Sequence, residues 1–532
     1  MTYRRVIFVF GLCLLSFLFT LFVYINRISD ESLKGKDVEN YRKVIGMGNI
    51  RGRFLDADGK FLTDLEVNYN VIQLNSRTGE HLKERVLMEK ILGKKLEFKE
   101  YKFLGYSEIR GISQEDVYKL MRNKYRLKTV IFVPSVKRKL VCKECFHIIG
   151  SVSSDGIGLG GLERLYDKSL RGKFGNIIIE GDALGNVVST PYMDINLLPR
   201  DVKLTLRYDL FLLADSLFKN YDRGAVFMFN PKNGYVYLSY SKPSPIDTTD
   251  PSYAPLLNRA LSGLYPPGST FKPLIALLSL KYGVIDTGFG VSCKGAISVG
   301  NRVFKCWSVH GYVKIERAIS HSCNVFFYNV GGRFGAGRIL NALKETGLFN
   351  RRFTNLLEEV PSRIPVKAIY LGTALNIAIG QGEVLVTPVF MAVEAGLIGN
   401  GGWVVLPRFS NFERQETLKV MAPEWAYDIV KRGMLKVVEE GTAYYSRIQG
   451  FQFGGKTGTA QNPHGEDHSL FIAFAPYDDP EVAIAVVVEN AGHGSSAAAP
   501  IASALIRHFF NLKITRDEKV YITSYPLNSE LW

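Results

Sequence analysis

An unbroken charge-free run, Val6–Ile25, constrains this chain more than any other stretch. In hydrocarbon the backbone has no water to bond, so such a run must be helical, and about 20 residues suffice to cross a bilayer. Arg4 and Arg5 precede it, which predicts a cytoplasmic tail over residues 1–5 and a single-pass membrane helix over 6–26. A cleaved signal peptide is the alternative. The run exceeds a typical signal h-region, however, and the next residues, Asn26-Arg-Ile-Ser-Asp-Glu31, offer no small-x-small cleavage site. The remainder of the chain is therefore expected beyond the cytoplasmic membrane, anchored to it.

At 532 residues, 46% hydrophobic and 22% charged, the chain has the composition of a globular protein of several domains. Its net charge is +15, a balance that suits nucleic acid, an anionic membrane surface or an anionic polymer. No Arg/Lys-rich helix or aromatic RNA-binding motif concentrates that charge, so nucleic acid is not an expected partner.

After a polar linker over Ser29–Tyr41, residues 49–62 alternate around an Asp-Gly turn, a hairpin signal. Asp56-x-Asp58-Gly59 lacks the later ligands of a calcium loop and reads as a turn. Val67–Leu74 reads as a strand, residues 76–127 as a Lys/Glu-rich helical insert, and Thr129–Val133 as a strand stopping at Pro134. A new unit begins near Asp201, passing from a strand into a helix. Residues 224–239 form two strands around Pro-Lys-Asn-Gly. Long apolar helices follow, then strands at Gly454–Ala460, Leu470–Ala475 and Val482–Glu489, then a closing helix from Pro500 to Phe510. This order predicts an α+β fold whose antiparallel sheet is sandwiched by helices.

Three short motifs carry chemistry. Ser269 and Lys272 lie one helical turn apart after the stiff Pro266-Pro267-Gly268, so a desolvated lysine can take the serine's proton. Alone, this is as well read as an ordinary helix with a serine cap and a solvated lysine. Ser322 and Asn324 offer a hydroxyl and an amide, which relay protons and hold amides; alone, they read as a cap or turn. Lys456-Thr457-Gly458-Thr459 sets a cation and hydroxyls on a glycine-flanked strand, suited to a carboxylate; alone, it reads as a strand edge.

The cysteines form a separate pattern. Cys13 lies in the apolar run. Cys142-Lys-Glu-Cys145 fits a disulfide, half a metal site or two free thiols, and the sequence does not choose among them. Cys293, Cys306, His310 and Cys323 are spaced C-x12-C-x3-H-x12-C, a closed tetrahedral set for a structural Zn2+. A Cys293–Cys306 disulfide with Cys323 in the core is the alternative in an exported protein.

S-x-x-K, then S-x-N, then K-T-G-T is the motif set of the penicillin-recognising serine acyltransferases, and the chain resembles the class B penicillin-binding proteins over nearly its whole length. Ile50-Arg51-Gly52 with Asp58-Gly59, and Gly158–Glu163 with Tyr166-Asp167, resemble that family's pedestal motifs. Leu204-Thr205-Leu206 resembles the opening of its transpeptidase domain, without the glutamine usual further along. The resemblance is closest to the penicillin-binding protein 2 subgroup, carried by residues 467–476, Val487-Val-Glu489-Asn490, and Cys306-Trp307 before His310-Gly311. That subgroup often has Asp at the place of Asn324, and its relatives include mixed Asp/His/Cys zinc sets at matching places.

The resemblance implies a non-catalytic, dimerisation-type pedestal over 27–200 and a transpeptidase domain over 201–532. It implies a peptidoglycan D,D-transpeptidase of cell elongation, facing the extracytoplasmic side, with stem peptides ending in D-Ala-D-Ala as substrates and β-lactams as inhibitors. Ser269 would be the nucleophile, Lys272 its base, Ser322 a proton relay aided by Lys456, and Asn324 a ligand for the donor amide. Lys456, Thr457 and Thr459 would hold the terminal carboxylate, with Gly458 between them. The N–H groups of Ser269 and Thr459 would form the oxyanion hole. A RodA-type glycosyltransferase and other elongation-complex proteins are the implied partners. A septal enzyme of the same class, or a β-lactam sensor or idle scaffold, are the alternatives.

Overall fold

The computed structural model describes residues 16–23, 42–46, 50–76, 78–101, 106–172, 176–180, 192–194, 199–367, 370–462 and 465–513. Most of the Val6–Ile25 run lies outside the described residues. Residues 16–23 are helical, and among the described residues no helix is long and apolar enough to cross a membrane. The chain divides into two compact units, one of 1–52, 65–139 and 171–200, the other of 53–64, 140–170 and 201–532.

In the first unit, β1 (Arg42–Gly46) belongs to a three-stranded sheet completed later in the chain. The long β2 (Thr63–Leu74) leads to α1 (Glu80–Leu92), which ends at Gly93 in the left-handed region, φ 67°. Next come β3 (Glu97–Tyr101) and β4 (Tyr106–Arg110), then α2 (Gln114–Arg122), whose Ser113 cap accepts from the Asp116 N–H. β5 (Val130–Leu140) completes a sheet of order β3-β4-β2-β5. β6 (Asn176–Glu180) and β7 (Tyr192–Asp194) complete the other, in the order β1-β6-β7. Val71, Met88, Ile109, Val117, Leu120, Leu127 and Val130 form the unit's core. The buried Glu84 carboxylate accepts from the Lys128 and Thr129 N–H groups and the Thr129 hydroxyl, tying α1 to the approach of β5.

Two expectations change here. The helical insert at 76–127 holds two helices but also the hairpin β3–β4. In β4 a period of two is present, with Ser107 and Ile109 buried and Glu108 between them, but β3 (Glu-Phe-Lys-Glu-Tyr) shows no strict alternation, so the hairpin is hidden inside a Lys/Glu-rich composition. The strand expected to stop at Pro134 runs on to Leu140. It is an edge strand, where a missing N–H costs the ladder nothing.

In the second unit, α3 (Tyr208–Leu217) precedes the hairpin β8 (Gly224–Phe229) and β9 (Val236–Lys242). The short α4 (Arg259–Ser262) leads to a 3-10 turn, Gly268–Phe271, which runs directly into α5 (Lys272–Lys281). Pro273 is tolerated in the first turn of α5, and residues 272–280 are all buried, as expected of a helix apolar all round. Two small hairpins follow that the sequence did not signal. β10 (Gly290–Cys293) pairs with β13 (Gly311–Lys314), and β11 (Ala296–Val299) with β12 (Arg302–Lys305). α6 (Ile315–Ser320), α7 (Asn324–Phe334), α8 (Pro388–Gly399) and α9 (Glu424–Glu439) are the main later helices. β14 (Gly454–Ala460), β15 (His468–Ala475), β16 (Val482–Val488) and α10 (Ala498–Phe509) close the unit.

The central sheet has the order β9-β8-β16-β15-β14, antiparallel throughout. α8 packs on β8, β15 and β16, while α10 packs on β15 and β16, and α3 beside it packs on β9. The expected sandwich is thus formed, and β14, carrying Lys456, is an edge strand. Residues 53–64 and 140–170 feed Phe54, Leu62, Ile148 and Leu162 into the same core. Cys142 and Cys145, buried in that segment, form a disulfide. The Asp56 turn is an Asx turn, its carboxylate accepting from the N–H groups of Asp58 and Lys60.

Leu277 lies fully buried at the centre of α5, and Leu256 is 78% exposed. Leu277→Ala should cost about 2–5 kcal/mol of stability, read as a lowered thermal midpoint. Leu256→Ala should stay within about 0.5 kcal/mol of the parent protein.

Candidate active site

Ser269 sits half-buried in the 3-10 turn, which lies against β14 because three glycines leave room for it. A Cβ on Gly268 (φ 52°) would meet the Thr459 carbonyl oxygen at 2.5 Å, one on Gly380 the Gly268 oxygen at 2.1 Å, and one on Gly458 the Thr270 methyl at 2.7 Å. The Gly268 N–H donates to the Gly380 carbonyl at 2.8 Å, and the Thr270 hydroxyl donates to the Pro267 carbonyl at 2.6 Å. The Thr459 carbonyl accepts from Gln381 Nε2 at 3.3 Å, so it points off the open edge of β14. The N–H of a strand residue lies on the same edge as its carbonyl.

Lys272 follows Ser269 by one turn and is fully buried. Its Nζ donates to the Ser322 carbonyl at 2.8 Å, the Ser322 hydroxyl at 3.2 Å and Asn324 Oδ1 at 2.6 Å. The Phe327 ring centroid lies 5.4 Å away. Burial lowers the Lys272 ammonium to about 7, against an opposing pull from Cys306 and Cys323. Ser322 is held at φ 52°, a left-handed conformation costly for a residue with a Cβ. This residue ends the turn after α6, and the strain aims both its oxygens at Lys272.

Lys456 is also fully buried, its Nζ donating to the Thr457 carbonyl at 2.9 Å. Burial pushes its affinity for a proton well down, and the charge of Lys272 pushes it further. The Thr457 and Thr442 hydroxyls meet at 2.5 Å. The structure therefore gathers Lys272, Ser322 and Asn324 by direct hydrogen bonds and lays the Ser269 turn against the strand of Lys456, Thr457, Gly458 and Thr459. Asn324, expected to meet a donor amide, here spends Oδ1 on Lys272 while Nδ2 lies 3.4 Å from the Lys305 carbonyl.

The second constellation also comes together. Ligand atoms of Cys293, Cys306, His310 and Cys323 all lie within 4.8 Å of one another. His310 Nδ1 is 3.6 Å from Cys293 Sγ and 3.5 Å from Cys306 Sγ. The three cysteines are free thiols. The Cys306 thiol is held well below its usual value by the hydrogen bond from Cys323 and by backbone N–H groups of Val325, Ser308 and Asn324, while the same bond and burial push Cys323 up. The Asn324 N–H donates to Cys306 Sγ at 3.2 Å, so the thiol cluster caps the very helix that presents Asn324.

Sequence reasoning missed Gly380-Gln381 and Thr442. The Gly380-Gln381-Gly382 triplet carried a signal in its paired glycines, and the structure holds both at positive φ, 70° and 85°. Thr442 had none, being a lone threonine between a helix and a strand.

The chain as a whole resembles known proteins. The family described as "Penicillin binding protein transpeptidase domain" matches residues 224–507, more than half of the chain, and "Penicillin-binding Protein dimerisation domain" matches 46–193. The chain belongs to the penicillin-binding protein transpeptidase family. Among curated relatives, the peptidoglycan D,D-transpeptidase MrdA of Acinetobacter baumannii is 30% identical over 64% of this chain. The match spans 59% of that relative's length, less than two thirds. MrdA of Haemophilus influenzae is 27% identical over 77% of this chain and 75% of its own. A solved complex of PBP2 and MreC from Helicobacter pylori shares the fold, with a TM-score of 0.75 and 24% identity over 88% of this chain and 99% of that one.

The close approach at Gly380 generates a test. Gly380→Ala should slow labelling by a fluorescent penicillin about tenfold or more, equivalent to at least about 1.4 kcal/mol in the barrier. An unchanged second-order labelling rate would show that the turn does not need this contact.

Proposed function

We propose that this protein is a peptidoglycan D,D-transpeptidase acting through a Ser269 acyl-enzyme, in the elongation branch of its family. The observation that carries the reading is the fully buried Lys272, one turn from Ser269 and hydrogen-bonded to Ser322 and Asn324. A neutral Lys272 takes the Ser269 proton as Oγ attacks the penultimate D-Ala carbonyl. The N–H groups of Ser269 and Thr459 receive the oxyanion. The C–N bond to the terminal D-Ala breaks, and the proton passes through Ser322 to the leaving amine. The amine of a second stem peptide then attacks the ester, forming the cross-link and returning the hydroxyl. Lys456, Thr457 and Thr459 hold the donor's terminal carboxylate. Asn324 serves Lys272 in the resting site and the donor amide once substrate enters. β-Lactams acylate the same serine.

Elongation is favoured over septation by the relatives, two of which are named MrdA. One structural neighbour was solved in complex with MreC, and a protein of that kind and a RodA-type glycosyltransferase are the partners we propose. A transmembrane anchor at 6–26 would place 27–200, as pedestal, and 201–532, as transpeptidase domain, on the extracytoplasmic side.

Cys293, Cys306, His310 and Cys323 fit a structural Zn2+. Tetrahedral Zn–S and Zn–N bonds place a sulfur and a nitrogen ligand about 3.6 Å apart, close to the observed 3.5 and 3.6 Å. Zinc would supply a fixed cross-link. The chain's part is the Cys306–Asn324 contact, which holds the start of α7.

Three outcomes test these readings. Fluorescent penicillin should label the wild type and not Ser269→Ala; labelling that survives the substitution refutes the nucleophile. The acylation rate should rise with pH through about 7, because burial lowers the Lys272 pKa and the neutral base exists only above it. A flat profile between pH 5.5 and 8.5 contradicts Lys272 as base. Protein purified without chelator should hold one zinc per chain, lost in Cys323→Ser; metal-free wild type ends the zinc assignment.

A further inference from the structure

Two stretches marked out by the sequence, Asp467-His468 and Val487-Val-Glu489-Asn490, have no part in the chemistry above. The structure puts them together beside it. Glu489 follows β16, its side chain only 12% exposed. Its Oε1 accepts from Arg259 Nε at 2.7 Å and from the Tyr265 hydroxyl at 2.8 Å, and Oε2 lies 3.4 Å from Arg223 Nε. Arg259, 2% exposed, directs its other N–H groups to the Tyr253 carbonyl at 2.7 Å and the Ala254 carbonyl at 3.2 Å. Tyr265 is buried, and that burial, beside Glu489, keeps its hydroxyl protonated.

Asn490 reaches the opposite way. It stands at φ 54°, left-handed for a residue with a Cβ. Its N–H donates to His468 Nδ1 at 3.1 Å, and its side-chain amide meets that of Asn462 at 2.8 Å. His468 pairs with Ala460, the residue after Thr459, and its ring meets that of Tyr265 edge to face at 5.7 Å.

A buried ion pair of this kind returns little net stability against its hydrophobic replacement, because both charges lose their water. What it provides is direction. Glu489 fixes Tyr265, joined to Ser269 through the stiff Pro266-Pro267. Asn490 holds Asn462, just past β14, and His468, the partner of Ala460 next to Thr459. The two oxyanion-hole N–H groups proposed above lie on these separate elements.

We propose that Glu489 and Asn490 are positioning residues which together set the spacing of the Ser269 and Thr459 N–H groups. The clamp acts on the transition state, where the oxyanion forms, and not on binding of the unreacted ligand. It rests on the assignment of Ser269 as nucleophile.

The test uses the full-length protein with Tyr265→Phe, which removes one hydroxyl, and with Glu489→Gln and Glu489→Ala. The acylation rate constant and the dissociation constant of the non-covalent β-lactam complex are measured separately, together with affinity for a boronic acid that forms a tetrahedral serine adduct. Tyr265→Phe and Glu489→Ala should lower the acylation constant about ten- to hundredfold, approaching the loss of an oxyanion-hole donor. Boronate affinity should fall by a similar factor while the non-covalent constant changes less than about twofold. Glu489→Gln, which keeps an acceptor, should fall between these and the wild type. Unchanged acylation and boronate binding in folded Tyr265→Phe overturns the clamp, as does a loss confined to non-covalent binding. Failure of the underlying reading is distinct: Ser269→Ala would then still be acylated.

Discussion

A lysine ammonium shut away from water is the constraint on which the rest of the site depends. Lys272 is on a helix buried on all sides, so its charge is not solvated, and only three oxygens of Ser322 and Asn324 replace the lost water. A second fully buried lysine, Lys456, raises the cost of holding both protons. One way out is for a lysine to give up its proton, and a neutral amine one turn from a serine is a base. The chemistry follows from a desolvation problem that the fold creates and leaves only partly solved.

The oxygens that face Lys272 are themselves expensive to place. Ser322 is in a left-handed conformation, and Asn324 begins a helix whose N-cap residue, Cys323, makes no capping hydrogen bond of its own. Strain of this kind persists only where the surroundings overdetermine it. Here the surroundings are the thiol and imidazole groups of the two-hairpin segment 290–314 and Cys323, which sits between the two residues that matter. The first helical N–H of α7 rests on sulfur.

The sequence made the second unit's layered plan legible because most of its strands are short apolar runs punctuated by Gly and Pro, and because α5 and α8 are apolar runs buried on every side. The serine, lysine and cysteine sets were legible because their chemistry needs particular residue types at short spacing. What escaped detection had no such signature. β4 alternates over only five residues and β3 not at all, and their charged residues read as part of a solvated helix. β10 to β13 are four residues each, too short for periodicity to register. Pro134 reads as a stop in the sequence because edge position, which makes it harmless, is a property of the assembled sheet. Thr442 and Gln381 reach the site from distant segments, and only the folded chain brings them near. The pairing of Cys142 with Cys145 likewise required coordinates.

The contact between the nucleophile turn and its neighbouring strand is drawn at backbone resolution. Gly268, Gly380 and Gly458 meet atoms that no β-carbon can approach. A lineage under selection to evade an inhibitor thus has almost no freedom at this seam, since substitutions there damage the turn for the natural ligand as well. Variation has to enter where side chains still have space, such as exposed Trp307 and Tyr312 on the hairpin segment. Change can accumulate at such exposed positions while the seam itself stays fixed.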